Sequence, residues 1–309
     1  MKQKITPYLK SRLNSEQMHR QYVQTGNEFV VSSFDIDPLQ EDEKEAVKGL
    51  VHKYRNRGLL KVSYRCAAHC RFCTRYRQIG TSDGDLSNDN IARIGQYLSE
   101  HPEINDVILS GGDPMYNPKQ TLVVLEMLRH IDSVKVVRIG TRLPIHNPIS
   151  FDAGLIQEVI DKAAEMNALK PFIFLINIEH PDDLTAETIA VLRMLRARGF
   201  TVLSQTVFLK GINNHYQTLF NLFESLYHIG VVPYYIYRCD YVQGVEQFVC
   251  DIEDERNIMT QLRSNLSGIA CPTYIMDVPG QGKVPVPLNY WEITDINKCI
   301  DFMGNAILV

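Results

Sequence analysis

From Leu59 to Tyr237 the sequence alternates short β-branched or apolar runs with longer amphipathic stretches, and this rhythm constrains the fold more than any other feature. The runs at 59–64, 105–109, 134–139, 172–178, 201–207 and 231–237 have the length and composition of strands. The stretches at 87–100, 119–131, 152–167, 185–198, 215–229 and 251–266 carry apolar residues at helical spacing. Strands alternating with helices predict βαβ units and a parallel α/β sheet. Six units fit an open barrel of six strands, and the same pattern also fits a doubly wound sheet. The placement of polar residues favours the barrel. Cys66, Ser110-Gly111-Gly112-Asp113, Thr141-Arg142, Glu179-His180 and Arg238-Cys239-Asp240 each follow the C-terminal end of a strand, and Gln205 lies within one. Barrels collect their active-site residues on that rim, where loops from different strands converge. Polar residues also follow strands in any α/β protein, but that explains one or two such clusters more readily than a whole series.

The first of these clusters is the most selective. Arg65 to Arg75 reads RCAAHCRFCTR and holds Cys66, Cys70 and Cys73 in the spacing C-x3-C-x2-C. Three thiolates this close can cap three corners of a cubane [4Fe–4S] cluster and leave the fourth iron open to a small-molecule chelator. A zinc knuckle is the alternative, together with three ordinary buried thiols. Zinc ordinarily takes a fourth Cys or His at short spacing, and His69 would be squeezed between two ligands of the same loop. The cluster reading is preferred.

Composition sets outer limits. The 309 residues are 45% hydrophobic and 22% charged, enough for a sizeable core, with a formal net charge of -4. Slight acidity offers no general attraction to nucleic acid or to an anionic membrane. The sequence has no apolar run long enough to span a bilayer, and its first residues lack the apolar core of a signal peptide. Seven cysteines, three of them in the triplet, fit a reducing cytoplasm.

The flanks are less regular. Residues 1–40 read as a short extension, and 41–54 (EDEKEAVKGLVHKY) reads as a helix, acidic in its first turn and basic in its last. The predicted organisation is an N-terminal extension at 1–56, a barrel at 57–270 and a C-terminal segment at 271–309. The stretch 271–291 is rich in Pro and Gly and reads as loop, with a last helix or strand after it. Within it Lys283 stands alone in GQGKVPVP. Such a lysine is ordinarily a solvated surface residue. A lysine that carries pyridoxal 5′-phosphate (PLP) needs a mobile approach, and Gly280 and Gly282 would allow one.

Eight separated motifs, HKYRNRGLL, CAAHCRFCTRYRQIG, DVILSGGDP, RIGTRLP, EHPDDLT, QTVFLKGIN, PYYIYRCD and MDVPGQGKVPVPLNY, occur in this order over roughly residues 50–291. In this set the chain resembles the lysine 2,3-aminomutase family of the radical S-adenosylmethionine (SAM) superfamily. The resemblance implies a partial (β/α)6 TIM-like barrel and a PLP-dependent isomerase. It implies that Cys66, Cys70 and Cys73 hold the cluster and that SAM chelates the open iron. The remaining SAM contacts would come from Ser110, Gly111, Gly112, Asp113, His180 and Gln205. Lys283 would carry PLP, with Lys53, Tyr54, Arg57 and Tyr237 around its phosphate. Lys53 stands where the family commonly has arginine. Arg75 would grip the substrate carboxylate, and Asp240 and Asp277 the distal ammonium of a cationic substrate.

The implied reaction splits SAM to a 5′-deoxyadenosyl radical, removes hydrogen from Cβ and moves the 2-amino group of L-lysine to C3, giving β-lysine. It needs an electron donor such as flavodoxin or ferredoxin. Three other readings stay open. They are an arginine or other cationic amino-acid 2,3-aminomutase, a lysine mutase feeding β-lysylation of a protein, and an iron–sulfur sensing protein without turnover. Longer family members end in a cysteine-bearing zinc extension. Cys299 alone cannot supply it and His215 stands where one of its cysteines would fall, so no zinc is expected; a homo-oligomer stays compatible.

Overall fold

The computed structural model describes all residues except 1, 30–32, 82–84, 153, 280–281, 293–294, 301–304 and 309. Gly280 therefore lies outside the described residues. Six strands run parallel in sequence order: β3 (Arg57–Ser63), β4 (Asp106–Gly111), β5 (Val136–Thr141), β6 (Phe172–Asn177), β7 (Thr201–Val207) and β8 (Val232–Tyr237). Before them come β1 (Glu45–Val47) and β2 (Leu50–Tyr54), paired antiparallel. After them come β9 (Thr273–Val278), parallel to β8, and β10 (Gly282–Pro285), antiparallel to β9. The ten strands form one sheet in the order β1 to β10. No strand pair joins its two edges among the described residues, so the sheet is an open, partial barrel. Three short strands, β11 (Trp291–Glu292), β12 (Asp295–Ile300) and β13 (Ala306–Leu308), form a separate sheet.

The helices are α1 (Pro7–Lys10), α2 (Glu16–Tyr22), α3 (Asn88–Glu100), α4 (Pro118–Arg129), α5 (Leu143–His146), α6 (Gly154–Asn167), α7 (Ala186–Ala197), α8 (Tyr216–His228) and α9 (Ile252–Asn265). Their starts are written locally. Ser87 and Asn90 form a reciprocal capping box on α3, Thr185 caps α7, and Asp251 caps α9 ahead of three acidic residues in its first turn. Each long helix turns an apolar stripe inward, such as Ile91, Ile94 and Leu98 on α3 or Leu219, Leu222, Phe223 and Leu226 on α8. None of the described helices is long and apolar enough to cross a membrane.

The strands have two faces with two jobs. On β4, Val107 and Leu109 are buried in the core, while the alternate residues Ile108 and Ser110 line an internal cavity. The same alternation sets Val137 and Ile139 against Arg138 and Gly140 on β5, and Phe174 and Ile176 against Leu175 and Asn177 on β6. Each fully buried aliphatic side chain on the outer face contributes about 1.5–3 kcal/mol to folding. The inner face, relieved of that task, carries the polar residues of the site.

Two expectations are corrected. Residues 41–54 are turns followed by β1 and β2, with Gly49 at φ 91 between the strands. Charge order suited a helix, but β3 offers an unpaired edge, and β-branched Val51 sits opposite Leu59 across it. The Pro- and Gly-rich stretch after 271 is not all loop, because β9 and β10 extend the sheet there. With these two hairpins added, the sheet brings its edges together through side chains. Lys53 Nζ on β2 lies 3.0 Å from Asp277 Oδ1 on β9, and the Lys283 N–H on β10 donates to Tyr54 Oη at 3.1 Å. Gly282 is required at this meeting point. Its φ is +84, and a Cβ there would lie 2.7 Å from Tyr54 Oη.

Candidate active site

The inner face encloses a cavity of about 380 Å³, the size of a small-molecule site. Every residue expected at the site lines it except His180. His180 instead caps the turn at Pro181–Asp183, its Nδ1 accepting the Asp182 N–H at 3.2 Å.

The cysteine loop leaves β3 and is held from outside by the N-terminal extension. The His69 N–H donates to the Lys4 carbonyl at 2.9 Å, Lys4 Nζ to the Cys66 carbonyl at 2.7 Å, and the Arg71 N–H to the Gln21 carbonyl at 2.8 Å. Cys66, Cys70 and Cys73 are free and partly exposed to the cavity. Burial pushes all three thiols up, Cys73 to about 11, so they are poised as protonated thiols until a metal group takes the proton's place. Among the described residues, no three His, Cys, Asp or Glu side chains converge as ligands of a single metal ion. A cubane asks for something else, one soft thiolate on each of three different irons, and the triplet fits that donor set.

The glycine motif is stitched to this loop. The Gly112 N–H donates to the Ser63 carbonyl at 2.5 Å, and the Asp113 N–H to the Arg65 carbonyl at 2.8 Å. A Cβ on Gly112 would fall on the Arg65 backbone, and Gly111 holds φ 108. Only glycine lets the two loops approach this closely, which leaves a bare backbone wall on the cavity. Asp113 also lines the cavity, but its carboxylate is engaged by the neighbouring loop. Its buried carboxylate accepts from Thr141 Oγ1 at 2.7 Å, the Arg142 N–H at 2.9 Å and the Met115 N–H at 3.0 Å, so it braces the motif.

The opposite wall comes from the two edge hairpins. Lys283 and Asp277 are register partners on β10 and β9, and Lys283 Nζ lies 3.2 Å from Asp277 Oδ2 and 5.4 Å from the centre of the Tyr237 ring. Tyr237 Oη accepts from Gln205 Nε2 at 2.9 Å. Arg57 stacks on the Tyr54 ring at 4.7 Å, and its buried Nε has no hydrogen-bond partner. An orphaned guanidinium N–H beside Tyr54, Lys53 and a reachable lysine amine is what a phosphate-bearing aldehyde such as PLP would satisfy.

Between the two walls stand Arg75 and Asp240. Arg75 is held by Glu41, Nε to Oε2 at 2.8 Å and Nη2 to Oε1 at 2.6 Å, and Nη1 donates to Ser110 Oγ at 3.1 Å. Burial alone would push the Glu41 carboxyl up, but the Arg75 guanidinium overrides this and holds it below its ordinary value. Among the described residues Asp240 makes no ion pair within 4.0 Å, although Lys283, Lys53 and Arg75 lie in its neighbourhood. Burial, and then the neighbouring charge of Asp277, push its carboxyl up to about 7. A carboxylate in that state gains strongly from an incoming cation.

Sequence reasoning missed Glu41, assigned to a helix, and the pair Arg142 and His146. Arg142 Nη1 lies 3.0 Å from Cys70 Sγ and His146 Nε2 lies 3.5 Å from it. Their one visible signal was the position of Thr141-Arg142 at a strand end.

The chain matches the model of the radical SAM superfamily over residues 60–223. It is 36% identical over 294 residues to an L-lysine 2,3-aminomutase from Fusobacterium nucleatum, covering 93% of this chain and 67% of that one. It is 34% identical over 296 residues to an L-lysine 2,3-aminomutase from Clostridium subterminale, covering 93% of this chain and 69% of that one. Among solved structures, a radical SAM methyltransferase from Sphaerobacter thermophilus aligns with a TM-score of 0.53 at 18% identity over 75% of this chain and 72% of that chain, a likeness of fold alone.

Proposed function

Since this chain belongs to the radical SAM superfamily and, within it, to the L-lysine 2,3-aminomutase family of isomerases, we propose that it moves the 2-amino group of L-lysine to C3 to give β-lysine, with PLP. When bound, the cluster supplies the electron that splits SAM, and PLP supplies the π system that lets nitrogen migrate. The protein's own part is to hold and aim. Cys66, Cys70 and Cys73 hold the cluster. Ser110, Gly111, Gly112 and Gln205 line the place for SAM, with Asp113 bracing them. Lys283 offers its amine to PLP, and Arg57, Tyr54, Lys53 and Tyr237 surround the phosphate. Arg75 takes the substrate carboxylate, and Asp240, with Asp277, its distal ammonium.

The observation that carries this reading is the meeting of the two edge hairpins. It sets Lys283 in the same cavity as the cysteine triplet, although 210 positions separate it from Cys73. An iron–sulfur sensor without turnover has no use for a lysine amine in the cavity that holds the cysteine triplet. The unpaired Asp240 supports a cationic side chain over a neutral or acidic one. In this reading residues 57–270 supply the cluster and SAM wall, and 1–56 and 271–309 supply the hairpins that complete it. The electron comes from a low-potential donor of the flavodoxin or ferredoxin kind in a reducing cytoplasm.

The test is anaerobic reconstitution with iron, sulfide and PLP, then incubation with SAM, reductant and lysine, arginine, alanine or glutamate. β-Lysine as the main product supports the proposal. A β-arginine product would transfer it to arginine, and 5′-deoxyadenosine formed without any amino-acid product would overturn it.

A further inference from the structure

We propose that Arg142 and His146 are positioning residues that raise the reduction potential of the cluster by aiming N–H groups at the sulfur of Cys70, an inference that rests on the cluster reading above. Arg142 Nη1 is 3.0 Å from Cys70 Sγ, and His146 Nε2 is 3.5 Å from it. Among the described residues neither Cys66 nor Cys73 receives a side-chain N–H of this kind, so one corner of the triplet is singled out.

The two side chains are built in rather than resting there. Arg142 is 6% exposed and His146 2%. The guanidinium lies between the rings of Phe72 and Tyr22, at 5.0 and 5.3 Å from their centres. Its Nη2 donates to Gln21 Oε1 and lies 3.3 Å from Asp183 Oδ2. A buried cation this deep is strongly unfavourable without a counter-charge, and Asp183 supplies one while leaving Nη1 free to point at sulfur. His146 follows Arg142 by one helical turn on α5, and its carbonyl accepts from Thr6 Oγ1 at 2.6 Å, which ties α5 to the N-terminal extension. A metal-bound thiolate can only accept, so with the cluster in place the imidazole nitrogen facing it, Nε2, would have to carry the proton; the buried Nδ1 has no hydrogen-bond partner.

The electrochemical consequence follows from charge. Reduction places one electron on a [4Fe–4S]2+ cluster from a one-electron donor, with no bond formed in that step, and part of the added density falls on the thiolate sulfurs. A fixed guanidinium and an N–H donor at one of those sulfurs stabilise the reduced form more than the oxidised form, which raises the potential. The low-potential donor then needs less driving force to prime SAM cleavage.

The test is an EPR-monitored redox titration of the reconstituted cluster, without SAM or amino acid, in wild type, Arg142→Lys, Arg142→Gln and His146→Phe. Iron and sulfide content and thermal stability are measured alongside. The midpoint is expected to move to more negative values in His146→Phe and furthest in Arg142→Gln, with Arg142→Lys, which keeps the charge, between Arg142→Gln and wild type. Exchangeable-proton couplings to the cluster should weaken in His146→Phe. Fully loaded Arg142→Gln and His146→Phe proteins that titrate at the wild-type midpoint would overturn the proposal. If Arg142→Gln does not fold, Arg142→Lys and His146→Phe decide it by the same criterion. A wild-type protein that takes up no cluster sinks the underlying cluster reading instead, and the inference with it.

Discussion

Asp277 on β9 stands directly across from Lys283 on β10, and its carboxylate bridges the Lys283 ammonium at 3.2 Å and the Lys53 ammonium at 3.0 Å. This one carboxylate thus joins the two edges of an open barrel. It also balances two lysines proposed for the cofactor, so in the ligand-free protein Asp277 has little charge to spare. With the Lys283 amine engaged elsewhere, Asp277 keeps only Lys53 and can accept a substrate ammonium in exchange.

That exchange makes Asp277→Asn a sharp test. The variant leaves two partly buried ammonium groups without a carboxylate. A loss of about 2–3 kcal/mol in substrate binding, or roughly 30- to 150-fold in KM for lysine, is expected. Alanine, which has no distal charge, should be affected little. Equal losses for lysine and alanine in steady-state kinetics would show that Asp277 serves only the fold.

Lys283→Ala addresses the cofactor itself. Borohydride treatment of PLP-loaded wild type should fix the label on the peptide containing Lys283, and the variant should lose both the label and the cofactor's absorbance. The three cluster cysteines are untouched, so iron content should stay at the wild-type level. Label recovered on Lys53 in the wild type would move the assignment across the edge.

Asp240 yields a pH dependence with a definite sign. Its carboxyl is pushed up to about 7, so it is neutral below that pH and charged above it. For a cationic substrate kcat/KM should therefore fall as pH drops through about 7, with a one-proton slope, and Asp240→Asn should flatten that limb. The stability effect runs the other way. Between the ordinary carboxyl value and about 7 the unfolded chain releases this proton while the folded chain keeps it, so the group destabilises the fold progressively as pH rises through that window. The melting temperature of Asp240→Asn should accordingly exceed wild type at pH 8 by more than at pH 4.

What the sequence reveals and what it hides divide along physical lines. The parallel strands and long helices are legible because each satisfies its own periodicity and is capped by its own neighbours, as Ser87 and Asn90 cap α3. The edge strands β1 and β2 are not, since Val51 adopts its conformation from Leu59 on another strand. Cys66, Cys70 and Cys73 announce themselves by spacing. Arg142 does not, because its partner Cys70 lies 72 positions away, and only the folded barrel sets its guanidinium beside that sulfur. His180 shows the reverse case: its motif is legible in the sequence, but the local turn that its Nδ1 caps is visible only in the structure.

Gly112→Ala tests how tightly the two loops are joined. The new methyl would fall on the Arg65 backbone, and backbone cannot step aside as a side-chain tip can. Overpacking of this kind costs about 1–3 kcal/mol. The melting temperature should drop, and SAM affinity, measured by calorimetry on the reconstituted protein, should fall by more than tenfold. Unchanged SAM affinity would mean that the glycine wall does not face the ligand.

Glu41→Gln separates general from side-chain-specific recognition. Arg75 has five N–H groups; Glu41 takes two side-on and Ser110 Oγ takes one, which leaves two for an incoming carboxylate. Glutamine keeps the shape but loses the charge, and turns an NH2 group toward the guanidinium. Breaking a pair this buried is worth about 3–5 kcal/mol, so the melting temperature should fall clearly at pH 7. Because Glu41 sits below its ordinary value, its contribution is present above the normal carboxyl range and lost as pH falls through the folded value, and the two proteins should converge in stability under acid. A loosened Arg75 should raise KM for lysine, arginine and alanine alike, since all three present the same carboxylate. Asp277→Asn should not do so, and the contrast between the variants is the measurement that matters. A Glu41→Gln protein that melts earlier but binds every amino acid as wild type does would leave Glu41 a prop of the fold, and would remove Arg75 from the proposed substrate site.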